Sequence, residues 1–180
     1  ALIRRNFIDS PICYVPKIYW DYTRRNVMVE ERVYGTPISR IDIFKDKKVI
    51  VFGLPGAFTP TCSSKQLPGF EEMYDQFKEK GIDEIYCVSV NDGFVMRAWA
   101  KEHTSGERVK CIADGNGEFT RRMGMLVEKN NLGFGMRSWR YAAVINNGIV
   151  EQMFAEEGKC DNHTEDPYDI SSPENVYEKL

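Results

Sequence analysis

An apolar run at residues 49–54 leads into a turn containing proline and glycine and then into residues that favour a helix start. Six successive residues that are apolar or glycine predict a strand buried on both faces, as in the middle of a parallel sheet. Thr59 is a favourable N-cap and Pro60 suits the first helical position, so a helix is predicted to begin here. Cys62 then lies in the first helical turn.

Strand and helix periodicities alternate along the rest of the chain and predict an α/β fold. Apolar positions recur at helical spacing over residues 67–77, where Pro68 predicts a kink or a break. Asn91 and Asp92 predict a helix cap, and residues 146–148 are a strong hairpin signal. Further strands are predicted at 27–34, 84–90, 109–113, 139–145 and 149–154, and further helices at 119–123 and from Ser172 onwards.

The first 26 residues mix apolar, aromatic and basic side chains without a clear period, and we expect them to form an extended lead-in with an inert Cys13. No acidic residue precedes Asp9, which fits either the remnant of an organelle-targeting segment or an added extension. A single domain is expected over residues 27–180, because a chain of 180 residues can bury about two thirds of its surface in one core.

A net charge of −3 and a pI of about 5.5 give no electrostatic reason to expect nucleic acid or an anionic membrane as a partner. No apolar stretch of the sequence is long enough to span a bilayer. Five cysteines, an odd number without a C-x-x-C pair, favour functional thiols in a reducing compartment over a zinc site or a disulfide framework. We therefore expect no cofactor, and a location in the cytoplasm or an organelle matrix such as that of a mitochondrion or plastid.

The predicted position of Cys62 is chemically informative. Unpaired N–H groups and the positive end of the helix dipole favour an anion there, so the thiolate is favoured over the thiol. A less basic thiolate is also a weaker nucleophile, so ionisation alone is a weak catalyst. A fast enzyme would also need donors that stabilise charge on the leaving group in the transition state.

Pro55, Thr59 and Cys62 form the motif P-x-x-x-T-x-x-C, which is the active-site motif of peroxiredoxins. The residues around this motif resemble the type II (peroxiredoxin 5) subfamily, and the resemblance covers roughly residues 44–154. Segments that follow in the order this subfamily shows are 68–70, 88–92, 94–96, 98–99, 114–117 and 139–141.

This resemblance implies a thioredoxin-like fold, in which a central mixed β-sheet is flanked by helices. It implies a thiol-dependent peroxidase that reduces hydrogen peroxide and small organic hydroperoxides, with Cys62 as the peroxidatic cysteine and a sulfenic acid as the intermediate. A role in antioxidant defence and redox homeostasis is implied as well. So is a homodimer with contacts through loops near the active site.

The resemblance also assigns roles to other residues. Thr59 is implied to contact the peroxide and the thiolate, and Pro55 to shape the turn and shield the sulfur from water. In the family, an arginine that matches Arg140 donates hydrogen bonds to the thiolate and to the peroxide. Arg137 is the competing candidate. Arg140 lies on a predicted strand, where burial would require an anionic partner, whereas a surface ion pair is the alternative. Phe119 is implied to lie near the peroxide entrance, although core packing would also explain it.

Two cysteines are candidates for resolving the sulfenic acid. Plant-type members of the subfamily have a resolving cysteine at the position of Cys87, but an inert thiol on a buried strand is the alternative. Animal members have a resolving cysteine in the region of Cys160. Counted from Arg140, however, its position does not match that of Cys160. Without a resolving cysteine, an external thiol reduces the sulfenic acid, either glutathione with glutaredoxin or thioredoxin.

Two other functions are open at this point. A redox sensor or relay that passes oxidation from Cys62 to a partner protein would use the same cysteine. A phosphate-binding loop at residues 53–65 is disfavoured, because the Gly-Lys-Ser/Thr ending of that motif is missing.

Overall fold

The computed structural model describes three parts of the chain, residues 18–25, 41–104 and 108–180. The chain forms two compact units, Ala1–Pro37 and Ile38–Leu180. In the first unit, residues 18–25 form turns in which the backbone N–H and the hydroxyl of Thr23 both donate to the carbonyl oxygen of Tyr19. The predicted strand at 27–34 and Cys13 lie outside the described residues. The predicted division of the chain after residue 26 therefore stays a prediction.

The second unit consists of strands and helices in the alternating order that the sequence predicts. The strands are β1 (Lys48–Leu54), β2 (Glu84–Ser89), β3 (Lys110–Ala113), β4 (Leu126–Glu128), β5 (Met136–Ser138), β6 (Tyr141–Asn146) and β7 (Ile149–Ala155). The α-helices are α1 (Leu67–Glu72), α2 (Tyr74–Glu79), α3 (Gly93–His103), α4 (Glu118–Arg122) and α5 (Pro173–Lys179). Shorter turns of helix are the 3₁₀ segments Ile41–Phe44 and Asn130–Leu132 and the π-helical segment Cys62–Gln66.

The main sheet has five strands in the order β3-β2-β1-β6-β7. Strands β1, β2 and β3 are parallel to one another, and β6 and β7 extend the sheet on the other side of β1 in antiparallel fashion. Strands β4 and β5 form a separate two-stranded antiparallel sheet. The mixed central sheet flanked by helices is the architecture predicted from the sequence.

The central strand β1 is buried on both faces, as its continuous apolar pattern predicts. Successive side chains of a strand point to opposite faces of the sheet. Ile50, Phe52 and Leu54 accordingly pack into one core cluster, which also contains Cys62, whereas Val49 and Val51 pack into a second cluster. No helix in the described parts of the chain has the length and apolar character needed to cross a bilayer.

The helical segment after β1 begins at Pro60, as predicted, and is interrupted twice. In the π-helical segment, the N–H of Leu67 donates to the carbonyl oxygen of Cys62, five residues earlier. Pro68, which has no N–H to donate, follows in the first turn of α1. The second break, at Met73, separates α1 from α2 and is not marked by a proline.

The prediction of a strand at 139–145 is wrong for its first two residues. Strand β5 ends at Ser138 and β6 begins at Tyr141, so Trp139 and Arg140 lie in an irregular step between two strands of different sheets. The backbone follows this path because the N–H of Trp139 donates to the Met125 carbonyl oxygen, whereas the carbonyl oxygen of Arg140 accepts from the N–H of Glu156.

The caps predicted at Asp92 and at Ser172 are confirmed, and so is the hairpin. The Asp92 carboxylate accepts hydrogen bonds from the first turn of α3, and the Ser172 hydroxyl accepts one from Asn175 N at 3.3 Å at the start of α5. Asn147 and Gly148, with φ of 48° and 80°, form the two-residue turn between β6 and β7. Positive φ at both central positions is typical of the turns that suit tight hairpins.

Gly53 permits the close approach of β1 to the Tyr141 ring. A Cβ atom at Gly53 would lie 2.2 Å from Tyr141 Cε1 and 2.8 Å from Ser138 Oγ, inside a fully buried part of the sheet. We expect Gly53→Ala to destabilise the protein by about 2–3 kcal/mol through overpacking. In thermal unfolding this corresponds to a fall in Tm of roughly 4–12 °C for a domain of this size.

Gly93→Ala is the matched control for this substitution. Nothing lies within 4 Å of a Cβ atom placed there, and Gly93 is the first residue of α3. We expect its Tm to be unchanged or slightly raised, because alanine reduces the entropy of the unfolded chain. Equal Tm values for the two variants would contradict the packing described for Gly53.

Candidate active site

Cys62 lies beyond the C-terminal end of β1, the end of a central strand at which open α/β sheets bind ligands. The connecting loop is held by Asn91, whose Oδ1 accepts a hydrogen bond from Ala57 N at 3.0 Å. Phe58 has a φ of 61°, and the N–H of Ser63 donates to the Thr59 carbonyl oxygen at 3.0 Å. This loop carries the Cys62 sulfur into the core, where the residue is fully buried.

Arg140 is the cation that contacts Cys62. Its Nη1 lies 3.4 Å from Cys62 Sγ and also donates to Gln66 Oε1 at 2.6 Å. Its Nη2 donates to Asp166 Oδ1, and its Nε donates to the Pro167 carbonyl oxygen at 3.0 Å. All three nitrogens of the guanidinium are therefore engaged, and the group is fixed with one nitrogen on the sulfur.

Electrostatics explain how a guanidinium that is only 1% exposed stays charged at this site. Burial acts to lower the pKa of Arg140, but negative charge on Cys62 and Asp166 outweighs burial, and the net effect raises that pKa. The attraction is mutual, so the guanidinium stabilises negative charge on the Cys62 sulfur.

Arg137, the competing arginine, donates its hydrogen bonds to other groups. Its Nη1 donates to the Val90 carbonyl oxygen at 2.7 Å and its Nε to the Phe134 carbonyl oxygen at 3.1 Å. Of the two arginines, the structure brings Arg140 to the cysteine, whereas Arg137 joins loops through backbone carbonyl groups.

Thr59 and Pro55 flank the same site. The Thr59 hydroxyl donates to the Gly56 carbonyl oxygen at 2.7 Å, which leaves its oxygen lone pairs to accept from another donor. Pro55 is buried and lines a narrow cleft together with Arg140 and Asp166. Lys129 lines the cleft as well, and burial is the main cause that lowers its pKa.

The loop that holds Arg140 is anchored by Glu156, a buried residue just after β7. Glu156 Oε1 accepts hydrogen bonds from the N–H of Asp169 and from both N–H and hydroxyl of Ser171, at 2.7–2.9 Å. The Glu156 carbonyl oxygen accepts a hydrogen bond from Trp139 Nε1 at 2.7 Å. One carboxylate thus closes the loop of residues 156–171 over the arginine.

The remaining predicted site residues lie outside the hydrogen bonds that join Cys62 and Arg140 to their partners. Phe119 lies in α4 and packs into the core cluster of Val49 and Val51, away from the one that contains Cys62. Cys87 is fully buried in the middle of β2, opposite Phe52. Cys160 is exposed, with its Sγ 3.5 Å from His163 Nδ1. Their suggested roles stay predictions.

Sequence reasoning missed Gln66 and Asp166, both of which contact Arg140. Gln66 could have been found, because it is four residues after Cys62 on a helical segment and so lies on the same face. It is fully buried, and its Nε2 has no hydrogen-bond partner among the described residues. Asp166 lies in an aperiodic loop and gave no signal.

Metal binding gains no support from the described residues, which contain no group of three or more metal-ligating side chains close enough to hold an ion. The described residues instead place one buried sulfur in contact with one fixed cation. This is a site for nucleophilic attack by sulfur on a substrate whose leaving group develops negative charge.

Comparisons with known proteins agree with this chemistry. The chain matches the Redoxin family over residues 24–169. It is 62% identical over 139 residues to a peroxiredoxin of Sinorhizobium fredii, covering 77% of this chain and 73% of that one. It is 51% identical over 143 residues to a hybrid peroxiredoxin of Haemophilus influenzae, covering 79% of this chain and 57% of that one.

A solved structure gives the same result. The antioxidant protein of Plasmodium falciparum, described as a 1-Cys peroxiredoxin, is 48% identical, with a TM-score of 0.75 and coverage of 77% of this chain and 78% of that one. The fold is therefore the thioredoxin-like fold of the redoxins, as expected. The chain belongs to the type II peroxiredoxins and is a thiol-dependent peroxidase.

Proposed function

We propose that Cys62 is the peroxidatic cysteine and that Arg140 stabilises the transition state of its reaction with the hydroperoxide. The Cys62 thiolate attacks the terminal oxygen of hydrogen peroxide or a small organic hydroperoxide, and the O–O bond breaks. The sulfur becomes a sulfenic acid, and the leaving hydroxide or alkoxide takes up a proton from solvent to give water or an alcohol. The observation that carries this proposal is the 3.4 Å contact between Arg140 Nη1 and Cys62 Sγ in a buried site.

Arg140 is suited to this role because its orientation is set before the reaction. Its other hydrogen bonds go to Gln66, Asp166 and the Pro167 carbonyl oxygen, so no reorganisation is needed when charge develops on the leaving oxygen. Cys62 and Arg140 are both buried, so their electrostatic interaction is stronger than it would be in water.

Thr59 and Pro55 complete the proposed site. The Thr59 hydroxyl already donates to Gly56 O, so its oxygen is free to accept the peroxide O–H and orient the substrate. Pro55 is buried beside the arginine and has no N–H that could bind water at the sulfur. Phe119 is proposed as a wall of the peroxide entrance.

An external thiol closes the catalytic cycle in our proposal. Glutathione with glutaredoxin, or thioredoxin, reduces the Cys62 sulfenic acid, and a cytoplasm or an organelle matrix supplies such reductants. The similarity to a structure described as a 1-Cys peroxiredoxin supports this route. Cys87 and Cys160 are the candidates for an internal resolving step.

Replacing the peroxidatic sulfur tests the first part of the proposal. We expect Cys62→Ser to abolish peroxide consumption, whether glutathione with glutaredoxin or thioredoxin with its reductase is supplied, because the serine hydroxyl is not ionised at neutral pH. Cys13→Ser is the matched control and should retain full turnover with the reductant system that serves the wild-type protein. Peroxide consumption by Cys62→Ser at the wild-type rate would refute the assignment.

The two arginines provide a paired test of the transition-state role. Arg140→Ala should slow the reaction of the reduced protein with hydrogen peroxide by about 10²–10³-fold, the loss typical of a donor that stabilises developing negative charge. Arg137→Ala removes hydrogen bonds to two backbone carbonyls and should change this rate only a few-fold. Single-turnover peroxide consumption, with folding checked by circular dichroism, distinguishes the two. The reverse ranking would identify Arg137 as the catalytic cation.

A homodimer that uses the loop before Cys62 is also proposed. The Phe58 ring is 50% exposed in this loop, and Ile149 is 70% exposed beside the hairpin at the opposite end of the sheet. Exposed aromatic side chains are enriched in protein interfaces. We expect sedimentation at about twice the chain mass of 20.8 kDa, with Phe58→Asn shifting the protein towards monomer and Ile149→Asn leaving it unchanged. A wild-type monomer at micromolar concentration would exclude this dimer.

A further inference from the structure

Two cysteines that lie outside the active site are neighbours in the sheet. The parallel register of β2 and β3 pairs Cys87 directly with Cys111. Neighbouring strands lie about 4.7–4.9 Å apart, and residues opposite each other point to the same face. This separation falls within the Cα to Cα range of about 4.4–6.8 Å that a disulfide spans.

The two thiols share the core cluster that contains Cys62. Cys62 and Cys87 are both fully buried in it, whereas Cys111 is partly exposed and packs against its edge. Burial is the main cause that raises the pKa of Cys87 well above its usual value, followed by a hydrogen bond with Cys111 and by negative charge on Cys111 and Cys62. The Cys87 thiol therefore interacts with the sulfur atoms of both Cys111 and Cys62.

Cys111 is the member of this group that a solvent-borne molecule can approach. It lies on β3, at one end of the five-stranded sheet, and lines a groove of about 480 Å³ between α3 and β3. Arg97 and Lys110 also line the groove. Lys110 is paired with Glu84 at 2.7 Å, and no ion pair forms on Arg97 within the described residues. A small thiol that carries carboxylates would fit this opening.

We propose that Cys87 and Cys111 form a second redox pair, which takes the oxidising equivalent from the Cys62 sulfenic acid and presents it at the α3–β3 groove. This inference rests on the proposed role of Cys62. In the first step the Cys87 sulfur attacks the Cys62 sulfur, the S–O bond breaks, and the hydroxyl group leaves with the Cys87 proton as water.

In the second step the Cys111 thiolate attacks the Cys87 sulfur, and the Cys62 thiolate leaves. Arg140 stabilises this leaving group through the same contact that it makes in the reduced protein. The sum of the two steps converts one sulfenic acid and two thiols into one thiol, one Cys87–Cys111 disulfide and one water. An external thiol then attacks the Cys111 sulfur, and a second external thiol releases the product disulfide.

The raised pKa of Cys87 determines when this route operates. A thiol with a raised pKa contributes little thiolate at neutral pH, so the first step is slow. Direct reduction of Cys62 therefore dominates when external thiol is plentiful. The second pair acts when the sulfenic acid persists, and it then competes with irreversible oxidation of Cys62 to the sulfinic acid.

The test uses the full-length wild-type protein and needs no variant. The reduced chain receives one equivalent of hydrogen peroxide without added thiol, free thiols are alkylated, and nonreduced peptides are mapped by mass spectrometry. We expect a peptide pair joined through Cys87 and Cys111, with Cys62 alkylated and a net loss of two hydrogen atoms from the chain. Oxidised Cys62 beside alkylated Cys87 and Cys111 would overturn the inference while leaving the peroxidase assignment intact.

Two variants separate this relay from simpler routes. In Cys111→Ser the joined peptide should be lost, and a Cys62–Cys87 disulfide should take its place. Cys13→Ser, the matched control, should give the wild-type peptide map. A Cys62–Cys160 bridge in the wild-type protein, or alkylated Cys87 beside oxidised Cys62 in Cys111→Ser, would count against the relay.

A failure of the peroxidase assignment gives a different result from a failure of the relay. If Cys62 itself stays reduced and peroxide is not consumed, the proposed function of the site is wrong. If Cys62 is oxidised and the Cys87–Cys111 pair is not, only the relay is wrong.

Discussion

The active site depends on one buried cation beside one buried sulfur. Removing an isolated guanidinium from water costs several kcal/mol, so Arg140 is stable only because its nitrogens have partners in place. Asp166 contributes a carboxylate oxygen, Gln66 and Pro167 contribute neutral oxygens, and Cys62 contributes negative charge only as a thiolate. Ionisation of the sulfur and burial of the cation therefore stabilise each other. Oxidation of the sulfur to a neutral sulfenic acid removes the negative charge that the thiolate places beside Arg140.

The surrounding fold combines rigid and weak elements. Strand β1 is buried on both faces and fixes the start of the loop, whereas the helical segments after Cys62 are short and interrupted. Short helices are marginal alone and depend on packing, and π-helical turns occur frequently at functional sites. Loss of the attraction to Arg140 therefore acts on a segment with little stability of its own. Such a segment is suited to local opening, which the fully buried sulfur needs before any external thiol can reach it.

Local signals in the sequence were sufficient for the central strand, the helix start at Pro60, both caps and the hairpin, because each depends on residues close in the chain. The peroxiredoxin motif added Cys62, Thr59 and Pro55, and the family resemblance selected Arg140. Distant pairing could not be predicted. Arg140 lies in an irregular step set by hydrogen bonds to Met125 and Glu156, its partner Asp166 comes from an aperiodic loop, and the Cys87–Cys111 register depends on how two strands align.

Glu156 and the loop it closes have a consequence for the newly made chain. Cys62 precedes in the sequence the carboxylate and carbonyl that orient its arginine, which belong to residues 166 and 167. Protein synthesis proceeds from the N-terminus. A ribosome-bound chain can thus form the central strand and the cysteine loop while the arginine still lacks its final supports. The order of translation therefore delays assembly of the complete reactive centre until residues 166 and 167 have been synthesised.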